Sequence, residues 1–139
     1  MRVAIVGGTG TIGRELAREL AQRGHEVRAL SRHAPEHRVD LTTGEGLDAA
    51  LAGCEVVVDA SNQPPSGKGP SVLVEGSRRL LAAEAVAGVG HHVCVSIVGC
   101  DAVPLAYYRL KTEQERVVQD GPVPFTIVRV TQFHELIDL

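Results

Sequence analysis

The chain has 139 residues, a formal charge of -3, and 44% hydrophobic and 22% charged residues. These figures fit one soluble domain, residues 1–139, with a genuine core and little room for a separate substrate domain. The charge leaves no basic footprint for nucleic acid, and two Tyr, two Phe and no Trp offer no base-stacking surface. No apolar run reaches membrane-spanning length.

In chain order, Arg2 to Val6 is an apolar strand running into Gly7-Gly8-Thr9-Gly10-Thr11-Ile12-Gly13. The helix that follows carries Ile12, Leu16 and Leu20 on one face, with Ala17 and Ala21 beside them, and stops at Gly24. This order suits a dinucleotide phosphate. Gly7 permits a sharp turn, Gly10 lets backbone approach a pyrophosphate, and Gly13 lets helix pack on strand. Backbone N–H groups and the positive helix end then face the phosphates.

His25 to Leu30 is a second strand, Arg38-Val39 a short third, Leu47 to Ala52 a short helix, and Cys54 to Ala60 a β-branched fourth strand. Ser61 to Pro70 is rich in Pro, Gly and Ser and reads as a loop. A helix is expected from about Ser71 to Ala87, a fifth strand over His92 to Val98, a helix from about Leu105 to Gln119, and a sixth strand over Pro124 to Val130. Strands alternating with helices imply parallel pairing through right-handed crossovers, and nearly continuous apolar strands imply a sheet covered on both faces. The expected fold class is α/β, a doubly wound Rossmann sheet of order 3-2-1-4-5-6, with ligands beyond the strand ends near the first and fourth strands.

A sheet that prefers NAD carries an acid at the end of its second strand. Here the sequence reads Leu30-Ser31-Arg32-His33. Ser31 and the donor fork of Arg32 suit a 2′-phosphate, so NADP(H) is favoured over NAD(H); the plainer alternative makes Arg32 a solvated residue. Asp40 and Leu41 are placed to bracket the adenine, unless Asp40 caps a turn. Ala60 and Ser61, ending the fourth strand, complete the cofactor candidates.

Tyr107 and Lys111 lie four apart on one helix face, and Ser96 falls near the end of the fifth strand. A tyrosine can exchange a proton with a carbonyl or alcohol when a nearby ammonium stabilises its phenolate. The plainer reading packs the Tyr107 ring on the sheet and pairs Lys111 with Glu115. Cys94 reads as core, and Cys100 as a loop thiol beside the presumed site. The three cysteines, Cys54, Cys94 and Cys100, lack metal spacing and an even disulfide framework, so they read as reduced thiols in a cytoplasm. Met1 leads directly into the first strand, so no signal segment is expected. His91 and His92, adjacent on a strand, point to opposite faces and do not share a metal; no metal site is expected.

Gly7-x-x-Gly10-x-x-Gly13, Ser96 and Tyr107-x-x-x-Lys111 together resemble the short-chain dehydrogenase/reductase superfamily. The segments His91 to Gly99, Tyr107 to Lys111 and Thr126 to His134 resemble its atypical, NmrA-like branch. The resemblance implies an oxidoreductase transferring hydride to or from a small carbonyl, quinone or alcohol. It further implies Tyr107 as general acid/base, with Tyr108 an adjacent alternative, Lys111 as ribose ligand and tuner of the tyrosine, and Ser96 as orienter of the substrate carbonyl. Phe133 and His134 fall where the family lines its substrate pocket. Asn62 lacks the family's usual context and receives no role.

The family usually continues well past the motif at Thr131 to His134, so the chain is expected to lack most of the C-terminal substrate region. Three readings follow: a reductase fragment that binds cofactor without turnover, a short NADP(H)-sensing regulatory module, or a homo-oligomer covering the open side and burying Ile137 and Leu139.

Overall fold

The computed structural model describes residues 1–8, 10–61, 73–97 and 106–130. Among these, β1 (Arg2–Val6), β2 (Glu26–Ser31), β3 (His37–Arg38), β4 (Val56–Asp59), β5 (His91–Ile97) and β6 (Phe125–Val130) form one parallel sheet in the order β3-β2-β1-β4-β5-β6. The connecting helices are α1 (Thr11–Gln22), α2 (Leu47–Leu51), α3 (Glu75–Ala87) and α4 (Ala106–Gln119). The doubly wound Rossmann order expected from the sequence is the order observed.

Strand alternation divides the core. Val3, Ile5 and Val58 face α1, where Leu16, Ala17 and Leu20 pack partly buried against them. Ala4, Val6, Leu30 and Val57 face the other way and pack with Leu47, Leu51 and Leu80 of α2 and α3. Each such aliphatic side chain contributes about 1.5–3 kcal/mol when fully buried. Gly13 is the buried residue of α1, and Ala21 is exposed. No helix among the described residues is long and apolar enough to cross a membrane.

The division follows from right-handed crossovers. Stepping from β1 to β2 places α1 on one face, while stepping from β4 through β5 to β6 places α3 and α4 on the other. At β6 this leaves Val128, which pairs with Val95 on the α1 side, 42% exposed, so the expected two-sided cover does not extend to that strand among the described residues. The helix expected from Ser71 begins at Glu75, because Leu73 and Val74 form the preceding turn. The Leu73 carbonyl accepts the Ser77 hydroxyl, and Arg78 N–H opens the ladder on the Val74 carbonyl.

Among the described residues, one ion pair is fully buried. His92 of β5 and Glu84 of α3 are both fully buried, with Nδ1 2.7 Å from Oε2. Their outer atoms, His92 Nε2 and Glu84 Oε1, find no partner among the described residues. Burial raises the Glu84 carboxyl above its usual range despite the lowering pull of His92. Burial also pulls His92 down, but the hydrogen bond and charge of Glu84 outweigh it and the imidazole ends up raised.

Candidate functional site

The strand order reverses at β1, which pairs with β2 on one side and β4 on the other. Their connections leave on opposite faces and open a crevice beyond Val6 and Asp59. Gly7 turns the chain there with φ +79°, its N–H bonded to the Leu30 carbonyl at 2.8 Å. A Cβ on Gly7 would stand 2.8 Å from the Ala60 carbonyl oxygen, so Ala60 and Ser61 close tightly over the turn. Gly13 is more constrained, since a Cβ there would lie 2.1 Å from Gly7 O.

Gly8 is a requirement that motif spacing did not reveal. A Cβ on it would meet Ala29 Cβ at 2.7 Å and Ile5 O at 2.9 Å; the doubled glycine was the available signal. Gly10 differs from all three. It is the N-cap of α1 in an extended conformation with no side-chain cap, and among the described residues a Cβ there would meet only Gly7 O, at 3.4 Å. The described residues leave room at Gly10. With Thr11 exposed, Ile12 half-buried and no acid in the first turn, the helix end keeps the unsatisfied N–H groups and positive field that an anion needs. Thr9 lies outside the described residues.

Beyond β2, the Ser31 hydroxyl accepts the His33 N–H at 3.1 Å. Arg32 is exposed and lines a cavity of about 470 Å³ with Arg38, Val39, Asp40, Glu45 and Gly46. Arg38 was not foreseen as part of this site. The register pairing Ser31 with Arg38 brings it beside Arg32, a non-local consequence of β3. Asp40 takes the turn role left open by the sequence: Oδ1 accepts Thr42 N–H at 2.9 Å and its hydroxyl at 2.6 Å. The hydroxyl bond first and the backbone bond second hold the Asp40 carboxyl below its usual range, with Arg32 and Arg79 adding to them. Leu41 turns its side chain into the core while its carbonyl accepts Arg79 Nη1 at 3.1 Å, which leaves only its backbone for an adenine.

At the ends of β4 and β5 a buried polar chain assembles. Lys111 is 3% exposed. Its Nζ donates to the Val95 carbonyl at 2.9 Å and to Gln114 Oε1 at 2.7 Å. Gln114 Nε2 donates to Asp59 Oδ2 at 3.3 Å and to Ser77 Oγ at 3.2 Å. Asp59 Oδ1 in turn accepts the Ser61 N–H at 3.0 Å and hydroxyl at 2.5 Å. Ser96, 1% exposed, follows the residue whose carbonyl receives Lys111. Tyr107 belongs to α4 one turn before Lys111, and its side chain lies outside the described residues. So do Phe133, His134 and Cys100. Glu115 holds Arg129 through two bonds, at 3.1 and 2.7 Å.

Asp59 and Gln114 were missed from sequence. An acid closing an apolar strand was a signal for the first, and nothing local marks the second. Cys54 and Cys94 are buried, and burial pushes the Cys54 thiol up. His91 Nε2 meets Thr126 Oγ1 at 2.7 Å while His92 faces inward, which is the divergence expected of neighbours on a strand. No group of three or more His, Cys, Asp or Glu among the described residues is arranged to hold a metal.

Comparison with known proteins agrees with this geometry. Residues 7–135 match the model of a family described as NAD(P)H-binding. A (4-alkanoyl-5-oxo-2,5-dihydrofuran-3-yl)methyl phosphate reductase from Streptomyces griseus is 33% identical over 144 residues, covering 94% of this chain and 48% of the relative. The photosystem II assembly factor Ycf39 of Cyanophora paradoxa is 26% identical over 151 residues, covering 97% and 46%. The chain thus spans about half the length of these relatives. Among solved structures, a short-chain dehydrogenase/reductase superfamily protein from Agrobacterium tumefaciens with bound NAD has a TM-score of 0.76 at 23% identity, covering 93% of this chain and 48% of that one. The Bordetella bronchiseptica enzyme WbmG in complex with NAD has a TM-score of 0.77 at 22% identity, covering 93% and 52%. The glycine turn, the strand order and the matched residues make this chain a member of the NAD(P)H-binding family.

Proposed function

We propose that the chain binds NADP(H) across the carboxyl ends of β1, β2, β4 and β5 and serves an oxidoreductase that transfers hydride to or from a small carbonyl, quinone or alcohol. The observation that carries this reading is the open end of α1 at Gly10; the Arg32 and Arg38 cavity and buried Lys111 support it. The pyrophosphate would rest on the N–H groups of that helix end. Two guanidinium groups at the rim suit a 2′-phosphate, with the fixed donor fork that a ribose hydroxyl does not require.

The nicotinamide, when bound, supplies or receives the hydride. Lys111, held by Val95 and Gln114, has a third N–H to offer a ribose hydroxyl. Its charge also stabilises negative charge on the Tyr107 oxygen when the proton passes to a substrate. Ser96 would steer the substrate oxygen toward that proton. The reductase among the relatives supports the chemistry, although its whole-length activity belongs to a protein twice as long. Following NADPH oxidation with a panel of quinones and carbonyl compounds tests this directly. Turnover that falls at least about 100-fold in Tyr107→Phe supports the assignment; turnover unaffected by that change refutes it.

A second reading, that the chain senses NADP(H) without turnover, is favoured by relatives named as photosystem II assembly factors. Nucleotide-dependent capture of a protein partner with no NADPH oxidation would select it.

A further inference from the structure

We infer that Gln114 and Asp59 are positioning residues for Lys111, forming a buried relay that fixes its ammonium and ties it to the Ser61 end of the cofactor crevice. The relay's bearing on cofactor affinity rests on the proposed function; the fixing of Lys111 does not.

Burying an ammonium is costly. Lys111 is almost wholly removed from water, and a charge so placed needs both hydrogen bonds and a compensating charge. Val95 and Gln114 provide the hydrogen bonds. Neither is charged. The compensating group is Asp59, 1% exposed, which meets the far side of the same Gln114 amide.

The orientation of that amide is over-determined. Its oxygen faces the ammonium, while its nitrogen faces Asp59 and Ser77. Reversing it would set NH2 against NH3⁺ and a carbonyl against a carboxylate, two repulsions in a low-dielectric interior. Gln114 therefore passes the acceptor character of Asp59 through to Lys111. Ser77 contributes to the lock, because its own proton goes to the Leu73 carbonyl at 2.5 Å and its oxygen is left to receive Gln114. At the other end, Asp59 accepts both the N–H and the hydroxyl of Ser61. Three elements, β4, α3 and α4, thereby meet at one amide, and Lys111 extends the link to β5 through the Val95 carbonyl. A Lys111 without this relay would keep, among the described residues, the Val95 carbonyl alone, and its flexible stem would sample other positions.

Lys68 and Lys111 are the chain's only lysines, so amine acetylation read by mass spectrometry reports Lys111 directly, with Lys68 as internal reference. In the full chain, Gln114→Leu should raise the Lys111 rate relative to Lys68 by about tenfold and weaken NADPH binding by a similar factor. Val118→Ala, a cavity elsewhere on α4 chosen to match the loss in Tm, should leave the Lys111 ratio within about twofold. The double change Asp59→Asn with Gln114→Glu restores a donor chain from Lys111 through a carboxylate to an amide, and should return the ratio to the wild-type value.

An unchanged ratio in Gln114→Leu, or an equal rise in Val118→Ala, overturns the relay. Should Gln114→Leu fail to fold, the double variant decides: wild-type protection supports the relay, and lost protection or unfolding overturns it. If wild-type protein binds no NADPH while labelling follows expectation, the proposed function falls and the positioning of Lys111 stands.

Discussion

Gly10→Ala separates the two things a glycine turn does, packing and ligand approach. At Gly10 the backbone is extended, φ -79° and ψ 178°, a conformation open to alanine. Among the described residues the added Cβ meets nothing nearer than Gly7 O at 3.4 Å, so the stability change should stay below about 1 kcal/mol, the scale of replacing one N-cap residue. Gly13→Ala puts its Cβ 2.1 Å from the same oxygen. Reaching an ordinary 3.4 Å contact means a retreat of about 1.3 Å by α1, and overpacking of that kind costs about 1–3 kcal/mol or more. For a chain of this size the Tm should fall by roughly 3–12 °C. Thermal unfolding and NADPH titration on both variants check the contrast. Gly10→Ala should keep its Tm within about 4 °C and lose at least about tenfold in affinity, whereas Gly13→Ala loses both. A Gly10→Ala protein that binds NADPH as tightly as wild type would refute the phosphate role of that helix end.

The two arginines of the rim cavity should act on one cofactor only. Arg32→Ala and Arg38→Ala are each expected to weaken NADPH by about tenfold, the lower end for a charged hydrogen bond because Arg32 and Arg38 are exposed, with NADH within about twofold; equal losses for both cofactors would disprove selectivity. The buried His92 and Glu84 pair should make stability depend on pH. His92 is raised above its usual 6.5, so the folded state holds that proton more tightly than the unfolded chain. Its contribution is fully present below about pH 6.5 and declines as pH rises through the raised value, with a slope of at most about 1.4 kcal/mol per pH unit. Urea unfolding from pH 6 to 9, taken as wild type minus His92→Gln, should show that decline; a flat difference rules it out.

The strand order was legible because β-branched runs such as Val56-Val57-Val58 and the helix repeat at Ile12, Leu16 and Leu20 follow local periodicities. The glycine turn was legible for the same reason, except at Gly8, whose constraint comes from Ala29 on the neighbouring strand. What escaped was non-local. Arg38 reaches the rim through β-strand register, His92 finds Glu84 across two elements, and Gln114 looks like any solvated helix residue until Asp59 and Ser77 converge on it. Leu41 read as a ligand contact from its place after a strand, yet its side chain completes the core. The exposure of β6 was equally hidden, since an apolar strand says nothing of which face the crossover helices will cover.

The central claim, an NADP(H) site built on the Gly7 to Gly13 turn and the Arg32 rim, is tested most directly by titrating the wild-type chain with NADPH and with NADH under identical salt. The structure predicts saturable binding of both, with NADPH tighter by about tenfold or more. Equal affinities would contradict the role of Arg32 and Arg38, and binding of neither would contradict the site itself.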